Sequence, residues 1–299
     1  MNNQNNKKQE VKNVCPICKS KNCIKWTKRK TQNRGIIQRY KCKDCGKTFC
    51  IDDGFFRMRN HPKKITCAMD LFYRGVSTRK VQEHFKAFYP HNSSHKSIYR
   101  WVVKYSKMIS NFTDKLKING GQEVQIDEME YKTKGKQSWF IDSIDTKTRY
   151  MVASNFFKAR GSQEIKTILE RAKYKTKGNV TTITTDGWKV YTKLVKHTFG
   201  YYNFQRGEMF HNVNIASTGG CFNIYIERLH NSIRERTKTF RGFHGSIESA
   251  NSIMKGYEIF YNFIRKHQSL GCCPYELAIP SLKINGENKW LELINISKQ

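Results

Sequence analysis

Acidic residues are scarce in this sequence. Its 299 residues include 24 Asp and Glu against 55 Lys and Arg, which gives a formal net charge of +31. Residues 1–120 hold 28 basic and 7 acidic residues, and residues 121–299 hold 27 and 17. So large an excess of one sign repels itself and is tolerated best beside a polyanion. The composition therefore predicts a nucleic acid as the partner, with its main contacts in the front part of the chain.

Long apolar runs are also absent. No stretch approaches the ~18 consecutive apolar residues that a transmembrane helix needs, and no charged and then apolar signal segment opens the sequence. We therefore predict a cytoplasmic protein with no membrane partner. Residues 1–12, which are rich in Asn, Gln and Lys, are predicted to be a disordered tail.

Several motifs of common enzyme classes are missing. The sequence contains no GxxxxGK(S/T) phosphate loop, which argues against an ATPase. It also contains no GxSxG turn and no HExxH helix, the motifs of serine hydrolases and zinc proteases. These absences argue against an ATPase, a serine hydrolase of the GxSxG type and a zinc protease of the HExxH type.

Four of the ten cysteines form two Cys-x-x-Cys pairs: Cys15 with Cys18, and Cys42 with Cys45. Pairs at this spacing in a cytoplasmic protein indicate a metal site rather than disulfide bonds. Between the pairs, two short alternating strands are expected, with Asn33-Arg34-Gly35 as their turn. Four thiolates around one structural Zn²⁺ would hold a segment too small to fold on its own core. Residues 13–50 are therefore predicted to be a zinc ribbon.

Residues 61–112 alternate between helical periodicity and turn residues. Apolar side chains recur at helical spacing up to Gly75, Ser77-Thr78 caps a second short helix, and a third helix is predicted over 97–110. This order is typical of a helix-turn-helix domain. The third helix would be the recognition helix, exposing four cations to DNA: Lys96, Arg100, Lys104 and Lys107. The alternative is a small helical spacer with a solvated basic face.

From about residue 122, strands and helices alternate. Five strands are predicted, the last of them short: 123–127, 138–144, 150–153, 180–186 and 201–204. Helices are predicted at 162–172, 190–195, 226–233 and 246–267. Three strands followed by helix and strand in turn is the order of an RNase H-like fold. The sequence thus predicts an α/β domain over 120–280, a mixed sheet flanked by helices, followed by a C-terminal tail at 281–299.

Three acidic residues stand on separate elements of this region. Asp127 closes the first strand, Asp186 closes the fourth, and Glu227 lies on the helix over 226–233. In an RNase H-like sheet the first and fourth strands are neighbours, so these acids would converge. Two-metal phosphoryl transfer uses two divalent cations about 3.5–4 Å apart, and carboxylate oxygens suit Mg²⁺ or Mn²⁺. We predict that the three acids are the catalytic residues and bind two such ions.

Each acid also has an ordinary structural interpretation. Asp186 precedes a glycine, as turn residues do, Asp127 could cap a strand end, and Glu227 could be a solvated ion-pair partner. Their order and the elements that carry them favour the catalytic interpretation for the set. The helix of Glu227 also carries residues predicted to contact DNA phosphates: His230, Arg234 and Lys238.

Several stretches resemble the DDE transposases of prokaryotic insertion sequences, in the retroviral-integrase-like superfamily. They are Gln125-Ile126-Asp127-Glu128, Thr184-Thr185-Asp186-Gly187, Ile226-Glu227-Arg228-Leu229-His230-Asn231, and Tyr261-Asn262-Phe263-Ile264 with Pro274-Tyr275-Glu276. The resemblance covers roughly 122–280 and is closest to families that join a zinc ribbon to a DDE domain. It implies an enzyme that binds double-stranded element ends as a homo-oligomer, nicks them, and transfers 3′-hydroxyls into target DNA with Mg²⁺. Such a protein would be associated with the nucleoid.

Two other functions remain open from the residues. One is a domesticated, non-catalytic DNA-binding regulator, and the other is an RNase H-like nuclease. The presence of all three acids argues against the regulator. The two predicted N-terminal binding modules argue against the nuclease, because they favour recognition of particular DNA ends over cleavage of a structure. The predicted function is therefore DNA transposition by cleavage and strand transfer.

Overall fold

The computed structural model describes residues 14–31, 35–56, 58–89, 93–214, 223–240 and 242–298. Within them the chain forms two compact units, one of residues up to 65 with Lys298 and one of residues 66–297. The predicted tail at 1–12 lies outside the described residues. No described helix is both long and apolar enough to cross a membrane.

The first unit contains a small antiparallel sheet in the order β1-β2-β3, with β1 Cys23–Thr31, β2 Gly35–Cys42 and β3 Thr48–Phe49. The predicted turn residues Asn33 and Arg34 lie outside the described residues, but Thr31 pairs with Gly35 where the hairpin closes. Most side chains of β1 are exposed. A sheet with so little apolar burial needs a cross-link or a metal to be stable.

Three helices follow, in the predicted order: α1 Pro62–Tyr73, α2 Thr78–Phe88 and α3 His95–Thr113. Ser77 caps α2, because its side chain accepts a hydrogen bond from the backbone N–H of Lys80. Ser94 caps α3 in the same way through the N–H of Ser97. α3 therefore begins two residues before the predicted helix.

The second unit is built on a five-stranded mixed sheet in the order β6-β5-β4-β7-β8. Its strands are β4 Glu123–Thr133, β5 Lys136–Asp145, β6 Met151–Phe157, β7 Thr182–Asp186 and β8 Phe210–Asn214. The first three strands form an antiparallel meander, β7 runs parallel to β4, and β8 runs parallel to β7. This confirms the predicted mixed sheet of RNase H-like order.

The fifth strand lies at a different place from the one predicted. Residues 201–204 belong to a short helix, α6 Tyr201–Gln205, with Tyr201 and Tyr202 exposed. Aromatic residues favour strands in isolation, but the side-chain amide of Asn203 bonds back to the Phe199 carbonyl and holds this segment as a helical turn. β8 starts instead where the N–H of Phe210 donates to the Thr181 carbonyl.

Helices cover the sheet: α4 Ser162–Lys175, α5 Lys189–Phe199, α7 Ile224–Thr237 and α8 Ile247–Ile259. α4 and α8 pack on β6, and α7 packs on β4 and β5. α8 is buried along most of its length because it contacts both β6 and α3. Two further helices follow a π-helical segment at Phe260–Ile264: α9 Pro274–Ala278 and α10 Lys289–Ile296.

A group of charges, buried except for Asp114, joins the end of α3 to the helices of the sheet. The Lys255 ammonium contacts a carboxylate oxygen of Asp114 and one of Glu258, each at 2.6 Å. Lys175 of α4 approaches the same two acids at 3.4 Å. Residues 66–113 belong to the same compact unit as the sheet, and their folding as a separate helix-turn-helix domain stays a prediction.

The segment 281–299, expected only as a tail, contains α10. Trp290 of this helix is buried and stacks on Tyr73 of α1, with ring centroids 5.3 Å apart. The Trp290 indole N–H also donates to a carboxylate oxygen of Asp70 at 3.3 Å. A buried aromatic with a satisfied polar group is typical of a core contact.

Candidate active site and cysteine centre

Two neighbouring strands bring acidic residues to one edge of the sheet. β4 and β7 run parallel and pair from Glu123 with Thr182 to Gln125 with Thr184, so Asp127 and Asp186 follow at adjacent positions. Carboxylate oxygens of Asp127, Glu128 and Asp186 all lie within 4.8 Å of one another. The predicted convergence of Asp127 and Asp186 is therefore present, and Glu128 is a third member that the sequence did not indicate.

Glu128 is held by two other side chains. The Tyr191 hydroxyl of α5 donates to its Oε2 at 2.6 Å, and the Arg160 guanidinium forms an ion pair with its Oε1. Arg160 also lies 3.5 Å from Asp186 and stacks over the Trp188 ring at 4.1 Å. Glu128 therefore already has a cation and a hydrogen-bond donor, whereas neither of these contacts reaches Asp127.

His230 of α7 lies between two carboxylates. Its Nε2 is 2.7 Å from Oδ1 of Asp142, and its Nδ1 is 3.4 Å from Oδ2 of Asp127. Asp142 stands opposite Asp127 in the β4–β5 register and is completely buried. Asp142 thus orients the His230 ring through Nε2, and Nδ1 of the same ring faces Asp127. The side chain of His230 is only 2% exposed, and its predicted contact with DNA stays a prediction.

Burial and the charges of neighbouring residues shift the pKa values of the acids and the histidine at this site. Burial raises the pKa of Asp127, and the charges of Asp142 and Asp186 add to the rise. Burial raises the pKa of Glu128 to about 7 against the opposing effects of Tyr191 and Arg160. Burial alone would lower the pKa of His230, but Asp142 and Asp127 outweigh it and raise that pKa. A cation at this edge would relieve the repulsion.

Glu227 is not part of the acidic group. It is exposed in the first turn of α7, and residues 215–222 before that helix lie outside the described residues. The side-chain carbonyl of Gln125 accepts the N–H groups of Tyr225 and Ile226, which fixes this turn beside β4 two residues before Asp127. Glu227 therefore stands on the turn that leads to His230, without reaching the other acids here.

The cations predicted to meet DNA are at the surface. Lys96, Arg100, Lys104 and Lys107 are all exposed on α3, opposite its buried apolar side chains. Arg234 and Lys238 are exposed at and beyond the end of α7. Their positions allow contact with a nucleic acid, and the contact itself stays a prediction.

The four cysteines of the first unit come together. One sulfur from each of Cys15, Cys18, Cys42 and Cys45 lies within 4.8 Å of the others. Both hooks turn in the same way, since the residue after each second cysteine has a positive φ, 61° at Lys19 and 69° at Gly46. The N–H groups of these two residues donate at 3.0 Å to the carbonyls of the first cysteines.

Both groups fit the metals that the sequence predicted. Four sulfur donors on two like turns match a tetrahedral structural Zn²⁺ site. The oxygen donors of Asp127 and Asp186 match Mg²⁺ or Mn²⁺, which prefer carboxylate ligands. Because Arg160 and Tyr191 already engage Glu128, the two aspartates are the better placed ligands.

Sequence reasoning missed Glu128, Arg160 and Asp142 as members of the site. Glu128 directly follows Asp127, and its residue type is visible in the sequence, but its burial against Arg160 is not. Asp142 is visible only as an acid within a strand, and the register that sets it opposite Asp127 gives it a role. Arg160 lies in the short connection between β6 and α4, where no periodic pattern marks it.

Two solved structures that resemble this chain are distant from it in sequence, and no curated protein matches the chain significantly. The HTLV-2 integrase catalytic core domain in complex with magnesium (trimeric form) is 15% identical, covering 53% of this chain and 96% of that one, with a TM-score of 0.39. The simian T-cell lymphotropic virus intasome in complex with PP2A regulatory subunit B56 gamma is 12% identical, covering 74% and 76%, with a TM-score of 0.41.

The family comparison concerns the sheet and the acids. Residues 121–268 match the family model DDE_Tnp_IS240, which describes a DDE domain. This segment holds Asp127, Asp186, Glu227 and all five strands of the mixed sheet. Residues 121–268 are therefore identified as a DDE transposase domain.

Proposed function

We propose that this protein binds the ends of an insertion sequence and catalyses DNA cleavage and 3′-hydroxyl strand transfer by two-metal-ion phosphoryl transfer. The observation that supports this best is the convergence of Asp127 and Asp186 at the ends of β4 and β7 within a DDE domain. Two divalent ions bound there would supply Lewis-acid stabilisation of the attacking and leaving oxygens.

Each residue of the site has a proposed role. Asp127 and Asp186 hold the metal ions through their carboxylate oxygens. His230 holds the Asp127 carboxylate in place and is itself held by Asp142. Arg160 and Tyr191 neutralise and orient Glu128. Glu128 therefore does not take the place of Asp127 or Asp186 as a metal ligand.

Glu227 is proposed as the third catalytic acid. Gln125 fixes the first turn of α7 beside β4, two residues before Asp127, so this turn holds Glu227 near the end of the strand that carries Asp127. Glu227 also lies within the segment that matches the DDE domain. Glu128 is the nearer acid, but its ion pair with Arg160 makes it the weaker candidate.

The remaining parts of the chain serve DNA binding in this proposal. The four cysteines hold one structural Zn²⁺, and the ribbon and the exposed cations of α3 recognise the element ends. The protein acts on double-stranded DNA as a homo-oligomer, in the cytoplasm at the nucleoid. A net charge of +31 supports a polyanionic partner.

The proposal is tested with labelled double-stranded DNA carrying the terminal sequences that flank the gene. Asp127→Asn should reduce Mg²⁺-dependent cleavage and joining by at least ~10³-fold, since a lost ligand removes several kcal/mol of transition-state stabilisation. Binding of the same DNA without added Mg²⁺ should change little. Glu130→Gln is the matched control, because Glu130 is an exposed acid on the same strand.

Two outcomes would contradict the proposal. Full activity of the Asp127→Asn protein would remove Asp127 from the catalytic site. Cleavage without any joining would make the protein a nuclease, and binding of these ends with no Mg²⁺-dependent cleavage by the unaltered protein would make it a DNA-binding regulator.

A further inference from the structure

We propose that a basic cavity beside α7, on a side that the catalytic acids do not use, binds backbone phosphates of double-stranded DNA. The cavity has a volume of about 630 Å³. Its cations come from three parts of the fold: Arg149 from the β5–β6 turn, Arg228 from α7, and Arg265 after the π-helical segment. No acidic side chain of the described residues lines it.

Two polar atoms in this cavity lack partners. Within the described residues, Nη1 of Arg149 and Nε2 of His267 are buried and make no hydrogen bond. A buried donor without an acceptor costs free energy that a bound anion would recover. Arg149 is held firmly in place, since its guanidinium stacks 3.3 Å from the Tyr225 ring centre and its backbone N–H donates to the Asp145 carbonyl.

The cations of the cavity contribute to the pKa shift of a neighbouring histidine. Burial, together with the nearby cations Arg265 and Arg149, lowers the pKa of His267 to about 4. His267 is therefore neutral at pH 7, although it lies in a solvent-accessible cavity. Uncompensated positive charge of this kind favours a phosphate oxygen as the ligand.

A second cavity continues the first along α7. It has a volume of about 450 Å³ and shares Ser232 and Arg265 with the first. It adds three cations, Arg74, Arg236 and Lys238, and one acid, Glu235. Arg236 is 6% exposed, and none of its three guanidinium nitrogens has a hydrogen-bond partner in the described residues. Two joined basic cavities suit successive phosphates of one strand better than a single small anion.

α7 would then serve two purposes from two sides. His230 points inward to Asp127 and Asp142, whereas Arg228 and Ser232 line the cavity. Arg228 directly follows the proposed catalytic Glu227, so a strand held in the cavity would run next to the acid-bearing turn. The choice of DNA as the polyanion rests on the proposed function, but binding here needs neither a metal ion nor catalysis.

The test measures DNA affinity of the full chain without added Mg²⁺ or Mn²⁺. A labelled double-stranded oligonucleotide is titrated at NaCl concentrations from ~50 to ~200 mM. The double variant Arg228→Gln/Arg265→Gln, which alters two exposed side chains, should bind on the order of 10-fold more weakly at low salt. The slope of log affinity against log salt should fall in magnitude by about 0.9 for each phosphate that the variant no longer neutralises.

Arg206→Gln is the matched control, because Arg206 is an exposed arginine of the same compact unit that lies outside both cavities. It should keep the affinity and slope of the unaltered protein. Equal affinities and slopes for the double variant and this control would overturn the proposal. Loss of strand transfer alone, with the DNA-binding difference intact, would affect only the proposed function.

A second arm separates DNA from a small anion. The midpoint of thermal unfolding is measured with inorganic phosphate at constant ionic strength, for the unaltered protein and the double variant. A phosphate effect that disappears in the variant, with DNA affinity unchanged, would make the cavity a small-anion site and refute the DNA assignment. Weaker DNA binding with a normal unfolding midpoint in the absence of phosphate would support it.

Discussion

Single residues in this protein acquire their roles from neighbours distant in the chain. His230 follows Glu227 by three positions and was predicted from its helix to face DNA, yet it is buried between Asp127 and Asp142. Asp142 lies 88 residues before it, and no local pattern connects the two. A histidine fixed by a buried carboxylate on one nitrogen is well suited to position a metal ligand on the other.

This role predicts an effect on metal binding that does not require DNA. His230→Leu should weaken Mn²⁺ binding to the full chain by ~10–100-fold, because the Asp127 carboxylate would lose its orienting partner. The measurement is the free Mn²⁺ signal in electron paramagnetic resonance. Asp142→Asn keeps an acceptor for the imidazole and should retain more of the affinity than His230→Leu.

His244→Leu is the control for that experiment, since His244 is exposed and lies outside the acidic group. A purely structural role for His230 would lower the midpoint of thermal unfolding while leaving the Mn²⁺ affinity of the folded protein unchanged. That result would show that His230 does not position Asp127 as a metal ligand.

At the scale of elements, apolar periodicity and helix caps predicted most helices and strands. The sequence did not show which elements pack together. The Cys-x-x-Cys hooks, the Ser77 cap and the acid at the end of β7 were all visible in short stretches of sequence. The fifth strand was misplaced, because aromatic residues at 201–204 favour a strand only when a neighbouring strand is available to pair. Here β7 pairs instead with residues 210–214.

The cysteine hooks give a prediction for the ribbon. Cys42→Ser should remove bound zinc and weaken binding to the element ends, because the β1–β2 hairpin has little apolar core of its own. Zinc content by atomic absorption and DNA affinity are measured on the same samples. Cys23→Ser is the control, since Cys23 lies outside the group of four sulfurs.

Unchanged zinc content in the Cys42→Ser protein would contradict the assignment of the ligands. Full zinc loss with unchanged DNA affinity would keep the metal centre but remove the ribbon from end recognition.

At the scale of the whole molecule, residues 66–297 form one compact unit, which contains both segments that the sequence analysis predicted as domains. Beside the contact between α3 and α8, the buried charges of Lys175, Lys255 and Glu258 meet the partly exposed carboxylate of Asp114. Removing one member of a buried ion network leaves its partners without compensation, which is costly. Stability of the helical segment and stability of the catalytic sheet should therefore be linked.

Lys255→Met tests this link. It should lower the free energy of unfolding by about 3–5 kcal/mol in urea titrations, with a single transition for helices and sheet. Lys166→Met is the control, because its exposed pair with Glu170 at 3.8 Å contributes ~1 kcal/mol or less. Adding Glu258→Gln to Lys255→Met should recover part of the loss. A separate, earlier transition for the helices would show that they form an independent domain.

The sequence by itself determined the charge, the cysteine hooks, most of the helices and strands, and the two aspartates that end neighbouring strands. These features depend on residue type and on spacing within one element, so they can be seen without a fold. Only the tertiary structure decided that Arg160 binds Glu128, that Asp142 fixes His230, and that Arg149, Arg228 and Arg265 share a cavity. Each of these contacts joins residues from different elements, and burial, which sets their charge and their partners, exists only once those elements pack.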